Sequence, residues 1–487
     1  MKKTILSLMA FATVSSAFAG GLLTNTNQNA VFLRNPARDA VIAIDGVYSN
    51  PAGVAFLPKG LHLSLSWQSA IQKRQITSNA PFYPLNSNNP SGEHFFEGKA
   101  VAPVIPSVQA AYVFNDKWSV SAQFAVGGGG GKCEFENGLP MFEQLVGSKL
   151  LGANATSYGL SQNLTGKQYF YGLQVGATYK VTDKISVFGG VRGVLANSSY
   201  VGAISNVTAN GVAASTYLNG VSQMAASAAG QAAAAAGQYA AAGLTTEAAK
   251  YQAMAEAYKD AATTAAQGAY LFNDPLTLDC SQSGLGITPI IGVDVNLGKL
   301  NLAAKYEFRT KINLKNESVN SANLTAMASQ VPAVAVYADG AEVRSDIPAL
   351  LTLGAQYSIL DNVRVMGGFH YFFDKDAKGS ATDVEKNTWE VTIGAEWDVN
   401  NWLTVSAGTQ RTKYGFGQSM QDTNFNVSST ALCLGATFHV NKMVNINAGY
   451  MHSFYNETEI IRDEKLGIVD LYTRKNDAVG VSVDLKF

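Results

Sequence analysis

Trp389-Glu390-Val391-Thr392-Ile393-Gly394-Ala395-Glu396-Trp397 alternates without a break, with apolar side chains at the odd positions and Glu390, Thr392, Gly394 and Glu396 between them. Successive side chains of a strand point to opposite sides, so a segment of this kind separates an apolar from a polar environment. The same period recurs in Leu61, Leu63, Leu65 and Trp67 against His62, Ser64 and Ser66. It returns in Trp118, Val120, Ala122, Phe124 and Val126, and again in Val479, Val481, Val483, Leu485 and Phe487. A soluble β-sandwich shows this alternation too, so the connections have to decide.

Fourteen strands are expected, at 61–75, 99–114, 117–131, 166–181, 184–199, 284–298, 299–314, 344–359, 361–375, 386–398, 401–414, 428–441, 443–456 and 473–487. Short turns such as Asn115-Asp116-Lys117, Thr182-Asp183-Lys184 and Asn400-Asn401 alternate with long loops. Short turns on one side, long loops on the other and an even strand number describe a transmembrane antiparallel β-barrel. Composition agrees. Only 15% of residues are charged, and no apolar run beyond the leader approaches the roughly 18 residues of a spanning helix. A closed barrel crosses a membrane without one, because closure pairs every backbone group.

Lys2 and Lys3, the apolar run Ile5 to Val14 and Ala17-Phe18-Ala19 read as a cleavable export signal over residues 1–19. Without it, 33 basic face 36 acidic residues, which argues against a nucleic-acid partner. Residues 20–60 precede the barrel of residues 61–487. Asn-Pro-Ala occurs there twice, at Asn35-Pro36-Ala37 and Asn50-Pro51-Ala52-Gly53. Pro36, Pro51 and Pro58 forbid one continuous helix or a central strand, so this stretch reads as a compact plug that takes its order from its surroundings.

Asp45-Gly46-Val47-Tyr48-Ser49-Asn50-Pro51-Ala52-Gly53 with Ala55-Phe56-Leu57-Pro58 resembles the hatch motif of the FadL-type outer-membrane transporters of long-chain fatty acids and other hydrophobic compounds. Pro106-Ser107, Asn115-Asp116-Lys117-Trp118 and Asp346-Ile347-Pro348-Ala349-Leu350 extend the resemblance along the chain, whereas Arg34 to Asp39 replaces an expected Gly-rich run. The resemblance implies passive uptake of a fatty acid or hydrocarbon, captured by outer loops, passed to a lumen pocket over a hatch and released by hatch movement or sideways through the wall. It implies a hatch containing Asn35, Pro36, Asn50, Pro51, Ala52 and Gly53, and a kink in the third strand that Gly127, Gly128, Gly129, Gly130 and Gly131 would supply. It also makes the loop after Lys315 an outer groove, for which Leu324, Met327, Val331, Val334 and Tyr337 are candidates. Outer-membrane lipids and, through the terminal Phe487, the barrel assembly machinery are the implied partners of a monomer in the outer membrane of a Gram-negative bacterium.

Strand phase places Arg192, Lys305, Arg309 and Lys311 inside the barrel as candidates for a carboxylate head group. Residues 200–283 form the longest interruption, Ala-rich and expected to fold as two helices with Thr245 capping the second. Cys133 and Cys280 fall in expected outer loops and are a candidate disulfide, with Cys433 free in mid-strand. No nucleotide, hydrolase or metal motif is present, so neither a cofactor nor an enzymatic activity is expected. A general porin and an adhesive or structural barrel remain the alternatives.

Overall fold

The computed structural model describes residues 23–328, 331–379, 384–417 and 425–487. The expected export signal lies outside them. The strands are β1 (Gly60–Asn79), β2 (Glu93–Val113), β3 (Trp118–Phe135), β4 (Tyr158–Lys180), β5 (Ile185–Ala209), β6 (Leu276–Asn296) and β7 (Leu300–Glu307, resuming as Asn313–Ser318). They continue as β8 (Glu342–Arg344, resuming as Leu350–Leu360), β9 (Val363–Phe372), β10 (Trp389–Asn400), β11 (Leu403–Lys413) and β12 (Ser429–His439). The last two are β13 (Val444–Tyr455, extended by Thr458–Asp463) and β14 (Ile468–Lys486).

Each strand pairs antiparallel with its neighbours in sequence, and β1 closes the ring by pairing with β2 on one side and β14 on the other. The outer face carries the apolar residues of the alternation. Trp67, Ile71, Val108, Leu173, Leu285, Ile287 and Leu434 are all exposed there, while Ser64, Gln109, Gln174 and Thr392 are buried inside. An apolar belt around a polar lumen is the outer-membrane barrel pattern.

Several strands outrun the expected bounds on the long-loop side. β4 begins at Tyr158, β5 reaches Ala209, β6 begins at Leu276 and β14 at Ile468. Apolar alternation marks only the membrane belt, whereas backbone pairing continues into the polar rim above it. This overturns the disulfide. Cys133 lies on β3 opposite Gly166, Gly166 lies opposite Tyr200, and Tyr200 lies opposite Cys280 on β6. Three strand spacings of about 4.8 Å separate the two cysteines, well beyond the reach of a disulfide. Both are buried free thiols, as is Cys433.

The Ala-rich stretch forms two helices, Ala214–Ala241 and Thr245–Leu271. Thr245 is not the cap: Leu244 holds that position, and no side chain caps the helix. The helices pack on each other, burying Ala232 and Ala236 of the first against Ala255, Ala262 and Ala265 of the second. Only their roots, with Leu218, Ala269 and Leu271, join the apolar cluster over the barrel mouth.

That cluster caps the lumen. Helix Pro140–Gly152 contributes Phe142, Leu145 and Val146, the turn around Tyr83 adds Phe82, and Leu324, Val334 and Tyr337 come from the loop after β7. Leu324, Val334 and Tyr337 are therefore core, with Met327 and Val331 packed against them. The five outer-groove candidates line a closed lid, because an apolar loop above a barrel buries itself when a neighbouring apolar surface is within reach.

Candidate functional site

Residues 23–57 thread the lumen as two single-turn helices, Val31–Arg34 and Gly46–Ser49, and the 3-10 turn Pro51–Phe56. Nearly every residue of this inner segment is buried, and its partners are the inward side chains of the wall. Asn27 donates to Gln68 at 2.7 Å, and Asn29 donates to Ser64 at 3.0 Å and Gln109 at 2.8 Å. The charged run that replaced glycines is matched by charge on the wall. Glu396 of β10 receives Arg34 and Arg38, each at 2.8 Å, and Arg364 at 3.0 Å. Arg38 also forks onto Asp45, at 2.7 and 2.9 Å, and His370 joins Asp39 at 3.0 Å to Glu390 at 2.8 Å.

The two Asn-Pro elements sit at opposite walls. Asn35 accepts from the backbone N–H of Ala37 at 3.1 Å and lies against Gly394, where a Cβ would collide with its side-chain amide. Pro36 packs on Gly408 in the same way. Asn50 donates to Asp294 at 2.6 Å and accepts from Gly53 N–H at 3.2 Å, which closes the turn. Its successors are fixed by their carbonyls: Pro51 accepts from Thr178 at 3.0 Å and Ala52 from Ser186 at 2.7 Å.

The four head-group candidates divide. Arg192 and Lys305 are inside and buried, but both are already paired with Glu307, at 2.5 and 2.8 Å. Both cations also lie over the ring of Tyr48, and Lys305 donates to the Tyr48 carbonyl at 2.8 Å. They hold the inner segment. Arg309 and Lys311 are not inward. β7 is interrupted between Glu307 and Asn313, and the interruption shifts the phase by one, so that Thr310, Ile312 and Leu314 point in. A one-residue slip sends each following side chain to the other face. Buried Asp346 anchors this break by accepting from Ile312 N–H at 3.3 Å and pairing with Arg344 at 2.5 Å.

Gly127 to Gly131 coincide with a seam in the wall. β2 and β3 are in register from Ser107↔Ala125 toward the short turns and from Ala100↔Cys133 toward the long loops. Between these points, among the described residues, no register pair joins them. The β2 side carries Pro103 and Pro106, which have no N–H to offer. On the β3 side Gly129 and Gly131 adopt φ values of +88° and +73°, which β-branched or bulky residues would resist. Against β4 the register also shifts at Val126/Gly128 and at Gly128/Gly131. The inner segment backs the seam: Asn25 N–H donates to the Gly127 carbonyl at 2.9 Å, and Leu23 lies against Gly128.

Beside the seam the lumen wall is apolar. Leu23, Phe170, Val194, Ala196, Ile312 and Leu314 form one buried cluster, with Ile347 packed on it. A small cavity borders this strip between Thr24, Gly127, Phe170, Arg192, Glu307 and Ile347. It holds about 20 Å³, roughly one water molecule.

Sequence reading missed this strip and the prolines facing the glycines. The strip had a signal in Tyr169-Phe170-Tyr171 and Val194-Leu195-Ala196, where both faces are apolar and the alternation fails. Inward glycines such as Gly394 and Gly408 were a second signal, because they seat the inner segment closely.

Residues 286–458 match the family model of Gram-negative porins. No curated protein sequence matches the chain. Among solved structures, a Pseudomonas aeruginosa FadL homologue aligns over 96% of this chain and 100% of its own, with a TM-score of 0.64 and 14% identity. The Pseudomonas putida toluene transporter TodX aligns over 99% of both chains, with a TM-score of 0.52 and 15% identity. The chain thus has the fold of the FadL-type outer-membrane barrels, and with its apolar belt and porin match it is an outer-membrane protein.

Proposed function

We propose that this barrel carries hydrophobic molecules across the outer membrane, passing them from the apolar lid along the strip at Phe170 and Val194 and out through the β2–β3 seam into the bilayer. The observation that carries this reading is the apolar strip itself, which ends at the stretch where β2 and β3 are unpaired. A water-filled porin would line its lumen with polar groups throughout. Burial of an alkyl chain contributes about 0.8 kcal/mol per methylene, so an apolar path moves such a molecule without polar specificity. The FadL homologue and the toluene transporter share the fold, which supports an apolar cargo of the fatty acid or hydrocarbon class.

Residues 23–57 act as the hatch in this reading. They are packed against the inward side chains of the wall, so the passage forms when Leu23 to Asn25 withdraw from the seam. The chain reconstituted in liposomes should accelerate entry of a radiolabelled long-chain fatty acid or of toluene while conducting ions poorly. Free ion conductance without that acceleration would favour a general porin.

A further inference from the structure

Five neighbouring strands, β14, β1, β2, β3 and β4, each carry their outward apolar residues up to a lysine. On β1 the series runs Leu65, Trp67, Ile71 and then Lys73; on β4 it runs Val175, Leu173, Tyr171, Tyr169 and then Lys167. Lys99 follows Val101 on β2, and Lys132 follows Val126 and the glycines on β3. On β14 Lys475 follows Val479 and Asp477, and Asp477 is taken up by His452 at 2.7 Å and Tyr450 at 2.6 Å. From Leu61 to Ile71 the chain climbs ten residues, which at about 3.3 Å each and a tilt of about 40° rise about 25 Å, the height of the apolar band. The lysines therefore stand just above the acyl region, on the side of the long loops.

Their register is unfavourable for the barrel alone. Lys73 is directly opposite Lys475 on one side and Lys99 on the other, and Lys132 is directly opposite Lys167. Like charges in such positions repel. Two carboxylates relieve this in part: Glu97 approaches Lys73 at 3.7 Å and Lys99 at 3.9 Å, and Glu134 pairs with Lys132. Lys475 and Lys167 have no carboxylate partner among the described residues. Next to Lys167 the outer face is recessed by about 310 Å³, lined by Tyr169, Asn197, Ser199, Lys315 and Glu317.

We infer that this face binds a phosphorylated glycolipid of the outer leaflet. Its acyl chains lie on the apolar wall, its phosphates on the lysine groups Lys475–Lys73–Lys99 and Lys132–Lys167, and its sugar against the hydroxyl and amide groups of the recess. Multiple phosphates match two lysine groups better than the single phosphate of a glycerophospholipid. Lys99 and Lys132 flank the upper end of the seam, so the bound lipid covers it from outside.

The test is native mass spectrometry of the delipidated, detergent-purified full chain titrated with bisphosphorylated lipid A, with dephosphorylated lipid A and with phosphatidylglycerol. Three variants are compared: K73Q/K99Q/K475Q, K132Q/K167Q, and a control set K117Q/K184Q/K299Q at the short turns. All exchange exposed side chains, and heat-modifiable migration on gels verifies the fold. Bisphosphorylated lipid A should bind best, and the first variant should weaken it about a hundredfold, as three surface lysines imply. The control set should leave it unchanged. Equal weakening by the control set, unchanged binding to the first variant, or equally tight phosphatidylglycerol would overturn the assignment.

Discussion

Asn50 and Asp294 stand 244 positions apart in the chain and are joined by a 2.6 Å hydrogen bond between the inner segment and β6. Asn301 donates to the same carboxylate oxygen at 2.8 Å, so Asp294 gathers two amides into one seat. Replacing Asn50 by Leu removes a donor to a buried carboxylate and one of the two bonds that Gly53 N–H makes to Asn50, at a cost of about 1–3 kcal/mol. The barrel should still fold, while hydrogen exchange at residues 46–56 quickens and single-channel conductance rises. Conductance equal to the parent protein's would argue that the inner segment does not seal the lumen.

Glu396 lies among three guanidinium groups, those of Arg34, Arg38 and Arg364. Breaking a buried ion pair on one side costs about 3–5 kcal/mol, because the remaining charges stay buried. In Glu396→Gln that loss falls mainly on the inner segment, since Arg364 keeps Asp398 at 2.7 Å. Limited proteolysis should then cleave near Arg34 and Arg38 at protease levels that leave the parent protein whole.

Gly394 offers a purely steric test. A Cβ there would overlap the Asn35 side chain. Gly394→Val should therefore displace the turn at Asn35-Pro36 and raise conductance, whereas Gly394→Ala should do so less. Conductance equal to the parent protein's in both variants would mean that Asn35 yields easily.

The cysteine geometry predicts three free thiols. Alkylation of the denatured, never-reduced protein should modify Cys133, Cys280 and Cys433 alike. A mass two units low before reduction would contradict the register.

Much of the architecture was legible in sequence because the barrel wall divides two uniform environments, and Trp389 to Trp397 records that division residue by residue. The strand extensions above the belt were not, since polar residues such as Ser161 and Thr208 pair as well as apolar ones and carry no period. The phase slip at residues 308–312 was invisible for a related reason: Phe308 continues the outward series of β7, and Arg309 would suit either face. The inner segment was recognisable from its prolines, yet its partners were not, because Asn50 meets Asp294 and Arg34 meets Glu396 only once the barrel has closed. The seam was half legible. Five glycines announced a weakness in β3, but only the register exposed Pro103 and Pro106 opposite them.

Departure of apolar cargo through this seam can be blocked at Ala102 and Gly131, which face each other across it. The Ala102 Cβ lies 3.8 Å from where a Cβ on Gly131 would stand, a separation that a disulfide spans, and because the φ of +73° at Gly131 strains any side chain the reduced variant serves as the control for that strain. A102C/G131C, built with Cys133, Cys280 and Cys433 replaced by Ser, can be assayed for uptake of a labelled fatty acid before and after reduction. The oxidised protein should transport little, and reduction should restore transport to the level of the cysteine-free parent. Full uptake with the bridge verified as closed by mass would contradict departure through the seam and leave movement of the hatch toward the periplasm as the route.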